Sequence, residues 1–125
     1  MKLLLDTHVF LWCVSDPDQL SDDARERIAD PTNPVAFSAA SAWEIAIKMA
    51  AGKLAFDADL PRAVSDASFQ ALPISIAHAL AAGALPPLHR DPFDRMLVAQ
   101  AKTDGWTLVT RDQQLAKYGV PVLTA

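Results

Sequence analysis

The chain alternates short apolar runs with longer segments in which apolar residues recur every three or four positions. "KLLLD" (2–6) is an apolar run without alternation, the pattern of a strand buried on both faces. A helical stretch from about Thr7 to Val14 follows and ends at "SDPD" (15–18). "SDDARERIAD" (21–30) reads as an exposed, charged helix closed by Pro31 and Pro34. "VAFS" (35–38) is a second strand. "AASAWEIAIKMAAGK" (39–53) is a helix, apolar on nearly every side, that Gly52 terminates. "DADLPRAVSDASF" (57–69) turns helical after Leu60, "ALPIS" (71–75) is a third strand, and "IAHALAAGAL" (76–85) is a helix capped by Ser75. A helix from about Pro92 to Thr103 stops at Asp104-Gly105. "WTLVT" (106–110) is a fourth strand, "RDQQLAKYG" (111–119) a short helix, and "VPVL" (120–123) an edge strand, where Pro121 is tolerable.

Strands alternating with helices predict an α/β sandwich around a mostly parallel sheet. No linker, repeat or low-complexity segment divides the 125 residues, so a single domain over 1–125 is expected. Hydrophobic residues make up 51% and charged residues 21%, which argues against a disordered chain. The lone Cys13 forms neither an intrachain disulfide nor a cysteine-only metal cage, which suits a reducing compartment. Asp6 and His8 interrupt the apolar N-terminus too early for a signal peptide. No run approaches the roughly 20 apolar residues that span a bilayer. A soluble, cytoplasmic protein without a membrane partner is the expectation.

In open parallel sheets, ligands bind outside the carboxyl ends of the strands. Two acids lie there: Asp6 closes the first strand, and Asp112 follows the fourth after Thr110-Arg111. Each also suits a helix N-cap. Glu44 is one of only two glutamates and sits on the most apolar helix. Lys48, one turn on, would contribute only ~0.3 kcal/mol as an ion-pair partner. Desolvating a carboxylate costs several kcal/mol, so a converging polar site or metal offsets its burial better. In "HRDPFDRMLVAQA" (89–101), Asp91 before Pro92 reads as an N-cap, and Asp94 falls in the first turn, where the helix dipole favours an anion.

Four carboxylates meeting at one sheet edge repel one another unless a hard cation such as Mg²⁺ or Mn²⁺ binds them. Net charge is −4, and setting those four acids aside leaves the remainder neutral. That balance argues against a general nucleic-acid coat protein but not against a nucleic-acid enzyme. His8, His78 and His89 show no ligand spacing and are expected to be structural or surface residues. Ser38, Ser41 and Ser75 look like caps, and no GxSxG, GxGxxG or P-loop is present. Trp12, Trp43 and Trp106 are expected in the core. Arg90, Arg95, Arg111 and Lys48 flank the acids, with Arg95 and Arg111 as candidate phosphate contacts.

Together, "LLLDTHVFLW", the helix carrying Glu44, "DPFDRMLVAQA" and "TLVTRD" resemble the PIN-domain ribonucleases, and within them the VapC-type toxins of bacterial toxin–antitoxin pairs. The resemblance runs in order along nearly the whole chain. It implies a three-layer α/β/α fold with a central parallel sheet, and divalent-metal-dependent cleavage of RNA phosphodiester bonds. Asp6, Glu44, Asp94 and Asp112 match the family's metal-binding acids, and Thr110 a hydroxyl that supports them. The resemblance also implies Mg²⁺ or Mn²⁺, a homodimer, an RNA substrate and a cognate antitoxin. Asp91 has no counterpart in the four-acid pattern, which leaves Asp94 to the chemistry and Asp91 to the helix start.

Two other readings are open. A haloacid-dehalogenase-type phosphohydrolase would use Asp6 as nucleophile, but it would want an acid two residues on, where His8 stands. A non-catalytic PIN-like module would bind a partner only, and would not need all four acids intact.

Overall fold

The apolar run at residues 3–5 dictates the architecture, because its side chains alternate between two faces that must both be covered. In the computed structural model, which describes residues 1–125, this run is β1 (Leu3–Leu5), the middle strand of five. It pairs in parallel with β2 (Val35–Ser38) on one side and β4 (Thr107–Thr110) on the other. Outside them lie β3 (Gln70–Leu72) and β5 (Val122–Thr124), giving the order β3-β2-β1-β4-β5. Every pairing is parallel.

Leu3 and Leu5 face one hydrophobic layer, built with Phe10 of α1 (Thr7–Ser15), Ala24 of α2 (Asp22–Ala29), Ile45 of α3 (Ala39–Ala50) and Val64 of α4 (Leu60–Asp66). Leu4 faces the other, with Leu97 and Val98 of α6 (Pro92–Asp104) and Leu115 of a 3₁₀ segment, Gln113–Tyr118. Between β3 and α6 runs α5 (Ile76–Ala84), packed on α6. The result is the expected three-layer α/β/α sandwich. The strand order reverses between β1 and β4, so the crevice above their carboxyl ends is the fold's natural ligand site.

Four expectations change. β5 covers 122–124 rather than 120–123, leaving Pro121 just ahead of the strand with its carbonyl accepting from the Leu108 N–H. β3 covers 70–72 rather than 71–75, because Pro73 has no N–H to continue the ladder. The segment after β4 winds as a 3₁₀ run rather than an α-helix and closes at Gly119, whose φ of 81° suits glycine. And α3 is not buried all round. Its buried residues are Ala40, Ser41, Glu44 and Ile45, while Trp43 is 61% exposed and leaves the core to Trp106 and the half-buried Trp12. The charge on this helix is inside and the tryptophan outside.

Two polar ties fix the helices that carry the acids. Gln100 of α6 is fully buried; its Oε1 accepts from Ser38 Oγ at 2.6 Å, and its Nε2 donates to the Pro73 carbonyl at 3.2 Å. Ser38 Oγ in turn accepts from the Ala40 N–H and caps α3, so one network registers α3 against α6. His78, structural as expected, is buried: its Nδ1 accepts from the Ser75 N–H, and its Nε2 lies 2.8 Å from Asp104 Oδ2. Replacing Gln100 by Leu strands the Ser38 hydroxyl and the Pro73 carbonyl. Urea denaturation should show a loss of about 1–3 kcal/mol, and an unchanged midpoint would mean the network is dispensable.

Candidate metal centre

Asp6 leaves β1 at the reversal point, where its N–H donates to the Val109 carbonyl of β4 at 3.0 Å. Its carboxylate is divided between two tasks. Oδ1 caps α1 by accepting from the Val9 N–H at 3.0 Å, and Oδ2 accepts from Thr110 Oγ1 at 2.6 Å. Thr110 is fully buried, and its hydroxyl also accepts from the Asp112 N–H at 3.0 Å. One hydroxyl thus registers the two strand-end acids. Burial pushes the Asp6 carboxyl above its ordinary range, against the pull of the Thr110 and Val9 hydrogen bonds.

Glu44 rises from the buried face of α3 and is 5% exposed. Thr7 Oγ1 donates to its Oε1 at 2.6 Å and lies 2.9 Å from Ser41 Oγ. Lys48 Nζ donates to its Oε2 at 2.5 Å, with a side chain 39% exposed against 6% for Glu44. The pair judged too weak to justify burying a carboxylate is therefore formed, and Thr7 supports it from α1. The ammonium also feels Asp91 and Asp94; together with the Glu44 bond, these hold the Lys48 pKa above its ordinary value. Its direct partner is Glu44, and its charge reaches the neighbouring acids as well.

Asp91 is the N-cap of α6, its Oδ1 accepting from the Phe93 N–H at 2.8 Å and the Asp94 N–H at 3.2 Å. Capping does not by itself separate structural from chemical acids, however. Asp112 also caps, with Oδ1 accepting from the Gln114 N–H at 2.9 Å, as Asp6 does for α1. In each case the other oxygen is free of the helix: Asp6 Oδ2 meets Thr110, and Asp112 Oδ2 meets His89. Asp94 has no cap duty. Burial first, then the charges of Asp91, Asp6 and Glu44, push its pKa from 3.8 to about 7, while His89 draws it down. These couplings tie Asp94 to Asp6 and Glu44, and its contacts tie it to Asp112.

The tie to Asp112 is a residue the sequence reading set aside. His89 Nε2 lies 3.1 Å from Asp112 Oδ2 and 3.3 Å from Asp94 Oδ2. The three side chains each place a donor atom within 4.8 Å of the others. His89 comes from the irregular loop between α5 and α6, so no helical or strand spacing reveals it. Only its place just ahead of the "DPFD" run hints at it.

The flanking arginines divide. Both terminal nitrogens of Arg95 are committed to the end of α5 and the loop after it: Nη1 donates to the Pro86 carbonyl, and Nη2 to those of Ala82 and Leu85, all at 3.0 Å. Arg95 is a loop clamp, and the expected phosphate contact gives way to that role. Arg111 lies beside Asp112, exposed, with its guanidinium 4.1 Å above the Trp12 ring and Nε donating to the Ala125 carbonyl. It keeps terminal N–H groups for another ligand.

The donor set fits a hard divalent cation: carboxylate oxygens from separate elements, one of them, on Asp94, pushed up to about 7 by burial and by its neighbours' charges. Residues 3–121 match the profile of the PIN domain. The chain belongs to the PIN domain family. Ribonuclease VapC22 of Mycobacterium tuberculosis is 32% identical over 127 residues, spanning 95% of this chain and 93% of that protein. Among solved structures, the PIN domain here resembles a DNA-bound VapBC complex from Salmonella typhimurium, with a TM-score of 0.74 and 19% identity over 99% of this chain and 98% of that one. It also resembles VapBC-5 of Mycobacterium tuberculosis, from the VapBC family of toxin-antitoxin systems, with a TM-score of 0.62 and 22% identity over 98% and 96% of the two chains. At those identities the structural likeness shows the PIN fold alone.

The raised Asp94 pKa sets a pH test on metal-free protein. Below about pH 4 the folded and unfolded chains both carry Asp94 protonated; above about pH 7 the folded chain carries a crowded charge. Stability in EDTA should therefore fall as pH rises through that window. Asp94→Asn, lacking the charge, should melt higher than wild type at pH 8 and converge with it near pH 4. Parallel melting curves at every pH would contradict the crowding.

Proposed function

We propose that the chain is a divalent-metal-dependent ribonuclease that hydrolyses RNA phosphodiester bonds as the toxin of a toxin–antitoxin pair. The observation that carries this reading is the gathering of Asp6, Glu44, Asp94 and Asp112 at the β1–β4 reversal point, in a chain 32% identical to a ribonuclease. These four acids would hold Mg²⁺ or Mn²⁺. When bound, the ion supplies an activated water and neutralises charge on the phosphoryl oxygens.

The rest is done by the protein. Thr110 and Thr7 aim the Asp6 and Glu44 carboxylates, and Lys48 offsets part of the acidic field. Arg111, beside Asp112, is placed to contact an RNA phosphate. A cytoplasmic setting follows from this reading, and no helix is long and apolar enough to cross a membrane.

The partners are a cognate antitoxin and a second copy of the chain. Supporting the second copy, α5 carries no charged residue and exposes Ile76 at 81% and Leu80 at 71%. Trp43 and Ile74 continue that apolar surface into a cleft of about 270 Å³ toward Phe93 and Met96. Apolar areas of this kind mark interfaces.

The test is cleavage of total RNA with mapping of the new ends. EDTA should abolish it and Mg²⁺ or Mn²⁺ restore it. Asp94→Asn should lower single-turnover cleavage by roughly 10²-fold, about 2.7 kcal/mol in the barrier. Asp91→Asn, which still caps, should fall only modestly. Full cleavage by metal-free protein would overturn the reading.

A further inference from the structure

We infer that His89 is a positioning residue, holding Asp112 beside Asp94 through its Nε2–H and never ligating the metal, an inference that rests on the metal-centre reading above. A neutral imidazole has one N–H and one lone pair, so its neighbours decide which nitrogen carries which. Here one neighbour is immovable: the main-chain N–H of Asp91 donates to His89 Nδ1 at 3.2 Å. Nδ1 therefore presents its lone pair and Nε2 carries the hydrogen. Nε2 faces two acceptors, Asp112 Oδ2 and Asp94 Oδ2, at 3.1 and 3.3 Å. A histidine that binds metal is wired the other way, with its lone pair on the ion and its second nitrogen donating to a carbonyl or carboxylate. His89's second nitrogen meets a donor instead.

The loop is built to present this ring. It has no strand or helix of its own between Leu85 and Asp91. The Arg95 fork holds its carbonyls, reaching that of His89 itself at 3.4 Å. The Asp91 N–H that sets the tautomer belongs to the cap residue of α6, the helix that carries Asp94. Asp112 sits on the other side, in the turn after β4, with Oδ1 already taken by the Gln114 N–H. His89 takes its second oxygen and so fixes the carboxylate's rotation. Loop, α6 and the β4 turn are joined at one imidazole.

Two measurements test this. The first is a nitrogen-15 correlation spectrum of the metal-free wild type, which reads the tautomer without any activity. The expected pattern is an unprotonated Nδ1 and a protonated Nε2; a protonated Nδ1 overturns the proposal. The second is Mn²⁺ affinity by electron paramagnetic resonance. His89→Ala should weaken binding by roughly 10-fold, as loss of a residue that orients metal ligands does, while His89→Gln, whose amide N–H reaches the Nε2 position, should stay within about threefold of wild type. Equal, severe losses in both variants would identify a nitrogen ligand and overturn the proposal, as would wild-type affinity in His89→Ala. If His89→Ala fails to fold, the spectrum and His89→Gln decide. Wild-type protein that binds no Mn²⁺ at all would sink the metal-centre reading, and the tautomer would still judge His89.

Discussion

Like-charge crowding at the carboxyl ends of β1 and β4 is the constraint that everything else in this structure answers to. A parallel sheet places successive strand ends at one edge, and this chain puts an acid at each of the two central ends. Two more arrive on α3 and α6. Burial and the field they create together push Asp94 to about 7. Left alone, such a cluster would favour opening of the very elements that form it.

The fold restrains the cluster by giving every carboxylate but Asp94 a second, structural job. Asp6, Asp91 and Asp112 each use one oxygen to cap a helical segment, so pulling them out of the site would fray a helix. Glu44 is held between Thr7 and Lys48. The buried Gln100 network then locks α3 to α6, fixing the distance between the two helix-borne acids. Stability is sacrificed locally at the site and supplied by the two apolar layers around it.

Much of this was legible in the residues. Unalternating apolar runs announced a parallel sheet buried on both faces, and the rule for parallel sheets turned acids into strand-end acids. What escaped has a common physical cause. His89 and Arg95 act through a loop whose path no periodicity encodes, and the tie between a loop histidine and a carboxylate 23 residues away is purely tertiary. Trp43 was misplaced because an all-apolar helix looks buried from its composition, whereas only its contacts reveal that the acid, not the indole, points inward. The cap reading of Asp91 is seen in its hydrogen bonds, while Asp6 and Asp112 show that a carboxylate can cap with one oxygen and meet a second partner with the other.

The central claim is that the cluster is strained without a cation and relieved by one. It is tested most directly by following the thermal midpoint of the wild type and of an Asp6→Asn, Asp94→Asn double variant as Mn²⁺ is raised from zero in chelated buffer. Binding to the folded chain alone stabilises it by about 2.7 kcal/mol when the ion reaches roughly 100 times its Kd. The account predicts that the wild type starts lower and climbs steadily with Mn²⁺, while the double variant starts higher and stays flat. A wild type indifferent to Mn²⁺, or a double variant that climbs equally, would contradict it.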